Sequence, residues 1–183
     1  MNIKSVEMKK TILITIFCAL LSIMAYSQEN DVKWYTIEEA EKLMNEAPKP
    51  LFIDTYTDWC GWCKRMDSET FSNSVIANIL NNDFYPVKFD AETTDEVTFF
   101  GQKFVNDGTA GKAHQLAIAL LQGNLAYPTV VILTPKDGKI YVTPIAGYKV
   151  PKELELILSF FKDSSNMDKD FSDFQKNFVS QID

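Results

Sequence analysis

The chain has 183 residues, 18 Lys and Arg against 25 Asp and Glu, a formal net charge of −7, three cysteines and one histidine. The acidic balance disfavours nucleic acid as a partner, and the length suits one domain with a real core. Too few cysteine and histidine ligands are present to complete a zinc site, so no metal and no cofactor are expected.

The first segment has the order of an export signal. Lys9-Lys10 precede an almost wholly apolar run, Thr11 to Ala25, and Ala25-Tyr26-Ser27 sets small residues at the −3 and −1 positions of a cleavage site. The run is short for a membrane span. Residues 1–27 are expected to be removed, with Met8 a tidier start than Met1, and the protein to be periplasmic in a Gram-negative bacterium. An uncleaved inner-membrane anchor is the alternative. Phe17 and Thr15 do not suit a lipoprotein box around Cys18, which is expected to leave with the signal. Cleavage takes away Lys4, Lys9, Lys10 and Glu7, so the net charge moves from −7 to −9 and 156 residues remain, 183 less 27.

Strand and helix patterns then alternate. Val32 to Tyr35 suits a short edge strand. Thr36-Ile37-Glu38-Glu39 is a capping box for a helix to about Ala47, stopped by Pro48 and Pro50. Leu51 to Tyr56 has little polar alternation, as expected of a strand buried on both faces. A helix is expected from Cys60, bent around Thr70 and continued over Ser72 to Asn82. Phe84 to Phe89 is the next strand. Thr93-Thr94-Asp95-Glu96 is expected to cap a helix carrying Val97, Phe100 and Phe104. Asn106 to Gly111 is then a loop, and Lys112 to Gln122 a second helix with Leu116, Ala117, Leu120 and Leu121 inward, stopped by Gly123. His114 reads as a capping or packing residue. Val130 to Thr134 and Lys139 to Ile145 flank the turn Pro135-Lys136-Asp137-Gly138 as a hairpin. Pro151 opens a helix with Leu154, Ile157, Leu158 and Phe161 inward. After a linker at Asp163 to Asn166, Phe171, Phe174, Phe178 and Ile182 recur at helical spacing, either docked on their own domain or kept for a partner. Oligomeric state is left open.

Chemistry concentrates in Trp59-Cys60-Gly61-Trp62-Cys63-Lys64. Cysteines so spaced can close a disulfide across the first turn of a helix. A Cys at a helix N-terminus also faces unsatisfied N–H groups and the positive end of the macrodipole, which favour its thiolate.

The chain resembles the thioredoxin superfamily over roughly Trp34 to Lys162. The resemblance rests on Asp54 six residues before Cys60, the Trp59–Lys64 run, Tyr127-Pro128-Thr129 before a hairpin strand, and Gly147 after the last strand. Thr70-Phe71-Ser72 is similar to exported thioredoxin-like proteins and to C-terminal domains of periplasmic disulfide reductases. His114-Gln115-Leu116-Ala117 is similar to a motif in Bacteroidetes-type thioredoxin-fold proteins. The resemblance implies an α/β thioredoxin fold, a central mixed sheet flanked by helices. A domain over 28–162 would hold a helical insertion at 93–123, with a linker and amphipathic helix over 163–183. It also implies a thiol–disulfide oxidoreductase, with Cys60 as nucleophile, Cys63 as resolver and Asp54 buried as proton acceptor. Trp59, Trp62, Tyr127 and a cis Pro128 would form the substrate surface. Trp62 replaces the proline common in thioredoxins. Partners would be protein disulfides or dithiols and a membrane reductant relay. A dithiol oxidase, a redox-inert binding or chaperone module, and a metal-binding module are the alternatives.

Overall fold

The structure, a computed structural model, describes residues 31–183; the signal reading of residues 1–27, with Cys18, lies outside them. Helix α1 (Ile37–Glu46) begins with the expected capping box, in which Thr36 accepts from Glu39 N and the Glu39 carboxylate accepts from Thr36 N. Strand β1 (Leu51–Tyr56) follows. Helix α2 (Gly61–Met66) runs into a π-helical turn, Asp67–Phe71. Asn73 then caps α3 (Ser74–Asp83). Val32 to Tyr35 is not a strand: only Tyr35 bridges to Val87.

Strand β2 (Tyr85–Asp90) pairs parallel with β1, whose other edge pairs antiparallel with β5 (Thr129–Lys136). Strand β6 (Lys139–Ala146) closes the order β2-β1-β5-β6. The β5–β6 turn sits at Asp137-Gly138, both with positive φ, the geometry that follows strand twist.

Alternation along β1 divides the interior in two. Leu51 and Ile53 pack on one side of the sheet with α1, and Phe52 on the other with Met66, Phe71, Ile76 and Leu80. Helix α5 (Pro151–Phe161), opened by its proline, adds Leu154 and Leu158 to the second side. Each fully buried side chain of this size contributes about 1.5–3 kcal/mol.

The segment between β2 and β5 departs from the sequence expectation of two helices. Its first half is a hairpin, β3 (Val97–Phe99) and β4 (Gln102–Phe104). Val97 and Phe99 are buried while Thr98 is exposed, a period of two. Phe100 and Gly101 both take positive φ, which breaks a helix and suits a two-residue turn. Glu38 and Glu41 of α1 accept from Thr98 N and Phe100 N and tie the hairpin down. The second half contains a helix, α4 (Gln115–Leu120), shorter than the expected Lys112 to Gln122. His114 is its cap: Nδ1 accepts from Leu116 N at 3.1 Å and Nε2 lies 3.1 Å from the Asp95 carbonyl. Leu116, Ala117, Leu120 and Leu121 face the core as expected.

The expected linker after Lys162 is a 3₁₀ helix, Ser164–Asp168, with Asn166 buried and donating to the Phe160 carbonyl. Helix α6 (Phe171–Asn177) ends before Phe178 and Ile182, so the apolar stripe outruns it. Phe174 and Ile182 nevertheless pack on the α3–α5 side of the domain. Glu155, buried in α5, accepts from Gln181 N and Ser180 Oγ. No helix among the described residues is long and apolar enough to cross a membrane.

Candidate active site

Four chain segments meet at one end of the sheet: the exit of β1, the entry of β5, the exit of β6 and the start of α2. Cys60 is the N-cap of α2, and its Sγ accepts from Cys63 N at 3.0 Å. Its own N–H donates to the Thr57 carbonyl, turning the chain out of β1 and into the helix. Cys60 and Cys63 form a disulfide, with S–S 2.06 Å and Cα atoms 5.3 Å apart. In this state both cysteines are buried, Cys60 4 % and Cys63 2 % exposed.

Tyr127–Pro128 is cis, as the resemblance implies. Pro128 is buried; its carbonyl accepts from Gly147 N, so the loop before β5 is fastened to the exit of β6. The Thr129 hydroxyl donates to the Ala126 carbonyl and closes the loop from within.

Two aromatic pairs, each an exposed tryptophan on a half-buried tyrosine, rise from this end. Trp59, 65 % exposed, meets Tyr127 edge-on with ring centroids 6.0 Å apart. Trp62, 55 % exposed, leans on Tyr148 at 5.5 Å. Arg65 lies against both Trp62 and Tyr148, at 5.3 and 5.6 Å, and Glu69 accepts from Arg65 and from the Tyr148 hydroxyl. Trp62 is therefore held by a cation–π and hydrogen-bonded cluster rather than left loose. Lys64 is exposed.

Asp54 is 1 % exposed, on the α2–α3 side of the sheet by strand parity. Lys88 occupies the matching position on β2, and its Nζ reaches Asp54 Oδ2 at 2.8 Å and also pairs with Asp67. Asp54 Oδ1 has no hydrogen-bond partner among the described residues. Burial pushes the Asp54 carboxyl up to about 6, against the pull of Lys88. Lys88 keeps its proton more firmly than usual, because the two carboxylates outweigh its own desolvation. Three rings, Trp34, Tyr56 and Phe71, surround its ammonium at 5.1, 5.2 and 5.3 Å.

Thus the structure brings Cys60, Cys63, Trp59, Trp62, Tyr127 and Pro128 to one end and buries Asp54. Sequence reasoning missed Lys88, Asp67, Arg65 and Tyr148. One signal for Lys88 was present: it is the only charge inside an apolar run, fourth in its strand as Asp54 is fourth in the preceding one. No group of three or more His, Cys, Asp or Glu poised for a metal occurs among the described residues.

Known proteins share the fold. A thioredoxin from Thermus thermophilus superposes with a TM-score of 0.54 at 20 % identity, covering 70 % of this chain and 85 % of that one. A putative disulphide-isomerase from Bacteroides thetaiotaomicron gives 0.50 at 24 %, covering 73 % and 95 %. In sequence, human spermatogenesis-associated protein 20 is 29 % identical over 110 residues, 60 % of this chain but 14 % of that protein. Thiol:disulfide interchange protein DsbD of Pectobacterium atrosepticum is 23 % identical over 125 residues, 68 % of this chain and 18 % of that one. The chain thus spans only a small part of these two relatives. The fold is that of thioredoxin, and the profile of the family described as "Thioredox_DsbH: Protein of unknown function, DUF255" matches residues 22–182, so the chain belongs to that family.

Proposed function

We propose that the protein is an exported thiol–disulfide oxidoreductase that reduces or isomerises disulfides in protein substrates. The observation that carries this reading is the Cys60–Cys63 disulfide at the N-cap of α2, beside a cis-proline loop. In the reduced protein, the α2 N-terminus and the Cys63 N–H favour the Cys60 thiolate. That thiolate attacks one sulfur of a substrate disulfide, forming a mixed disulfide and expelling the other sulfur as a thiolate. Cys63 gives its proton to the Asp54 carboxylate and attacks Cys60 Sγ, expelling the second substrate sulfur. Two electrons pass to the substrate, and the Cys60–Cys63 bond is formed. A dithiol donor, which we assign to a membrane reductant relay, must restore the pair.

Trp59, Trp62 and Tyr127 form the surface offered to the substrate, with the buried Pro128 shaping the loop beneath it, and the exposed rings favour apolar side chains next to its cystine. The relative named a thiol:disulfide interchange protein supports the chemistry. We place the protein in the periplasm of a Gram-negative bacterium, with residues 1–27 as its signal.

Catalysed reduction of insulin by dithiothreitol tests the reading. The wild type should accelerate it, and Cys60→Ser and Cys63→Ser should return it to the uncatalysed rate. A wild type without effect would leave the binding-module alternative. Equilibrium of the pair with glutathione separates reductase from dithiol oxidase, and trapping with Cys63→Ser identifies partners.

A further inference from the structure

The exchange reaction asks Asp54 to be a carboxylate before the resolving step and an acid after it, so whatever governs its share of positive charge governs the step. Lys88 Nζ has three hydrogens to give. It spends them between Asp54 Oδ2, at 2.8 Å, and Asp67 in the π-helical turn that continues the active-site helix. The three surrounding rings keep the ammonium from swinging out to solvent. The Asp67 side chain is 43 % exposed whereas that of Asp54 is 2 % exposed, so one end of this line of charge meets water and the other is sealed.

We infer that Asp67 is a positioning residue for the exchange reaction: it takes a share of the Lys88 ammonium and thereby sets how much of that charge Asp54 holds. This inference rests on the exchange activity proposed above. The two carboxylates strengthen the hold of Lys88 on its proton, against its own desolvation. Asp54 Oδ1, which no described residue occupies, is the oxygen left to take a proton. Were position 67 neutral, Asp54 would be the one carboxylate paired with the Lys88 ammonium, which would stabilise its charge and make it a weaker base. The direct repulsion between the two carboxylates acts in the same direction. The other titratable neighbour is Tyr56, two residues along β1. Its phenol is pushed up by burial, and Asp90 and Asp58 lie beyond it. Neither Asp90 nor Asp58 pairs with Lys88.

The test uses Asp67→Asn, which keeps an oxygen for Lys88 and removes only the charge, and Asp67→Glu, which restores it. Two readouts are taken. One is the titration of the Asp54 carboxyl in the oxidised protein, followed by carbon NMR. The other is the pH profile of single-turnover insulin reduction by the pre-reduced protein. In Asp67→Asn the carboxyl midpoint should fall by about one pH unit, a tenfold change in proton affinity. The acid limb of the rate profile should move with it, and Asp67→Glu should bring both back. Asp67→Ser serves if the Asn variant does not fold. An unmoved midpoint in a folded, charge-free variant overturns the inference, whatever the activity. A midpoint that moves in a protein whose wild type exchanges no disulfides sinks the proposed function and leaves the electrostatic link standing.

Discussion

Asp54→Asn should change how the stability of the fold depends on pH. In the unfolded chain this carboxyl ionises near 3.8, and in the folded chain near about 6, because burial disfavours its charge. Between those values the folded protein holds a proton that the unfolded chain has released. Stability therefore falls as pH rises through the window and is level above it. The gap between 3.8 and about 6, at about 1.36 kcal/mol per pH unit, comes to about 3 kcal/mol. Of this, about 2 kcal/mol falls between pH 4 and 7. Asparagine has nearly the shape of the protonated acid and cannot ionise, so the variant lacks this loss. Lys88 retains Asp67 in the variant, and the pair that the ionised Asp54 makes with Lys88 is already contained in the folded value of about 6. The assay is urea denaturation of both oxidised proteins at several pH values. The stability of the variant relative to wild type should climb by about 2 kcal/mol from pH 4 to 7. A flat difference would refute the reasoning, since it would mean that Asp54 titrates alike folded and unfolded.

Two further outcomes follow from the site and its surroundings. In the reduced protein at neutral pH, iodoacetamide should modify Cys60 before Cys63, because Cys60 caps α2 whereas Cys63 lies a turn inside; mass mapping that finds Cys63 first would reverse the roles proposed. His114→Ala should cost about 1–2 kcal/mol, since it strips the α4 cap, whereas His114→Asn should recover part of it as a competent capping residue. Equal losses in the two variants would show that packing on Phe89, rather than capping, is what His114 contributes.

Legibility in the sequence followed the range of the interactions. Helix α1, strand β1 and the β5–β6 hairpin are written locally, in a capping box, an apolar run and an Asp-Gly turn. The β3–β4 hairpin is not. Val97, Phe100 and Phe104 have helical spacing as well, and Thr93 to Glu96 imitates a cap. What decides is Phe100-Gly101 at positive φ and two α1 carboxylates some 60 residues earlier in the chain. The candidate site divides in the same way. Cys60, Cys63 and Pro128 stand in short motifs, so the resemblance located them. Lys88 joins Asp54 across 34 residues through strand register, and Asp67 joins it only because the π-helical turn carries that carboxylate over β2. Phe178 and Ile182 fit the stripe of α6 yet lie outside it, since the chain leaves the helix after Asn177 to bring Gln181 to Glu155.

That last contact gives the segment after α6 an all-or-none character. Glu155 sits inside α5 with both oxygens engaged by residues 180 and 181. Peeling back these few residues would strand a carboxyl in the interior with neither acceptor matched, at a cost of about 1–3 kcal/mol. Partial detachment is thereby penalised at its first step, and residues 180 and 181 behave as a clasp that is either shut or open. A protease that needs an unfolded stretch after Asn177 would have to wait for both bonds to Glu155 to open together.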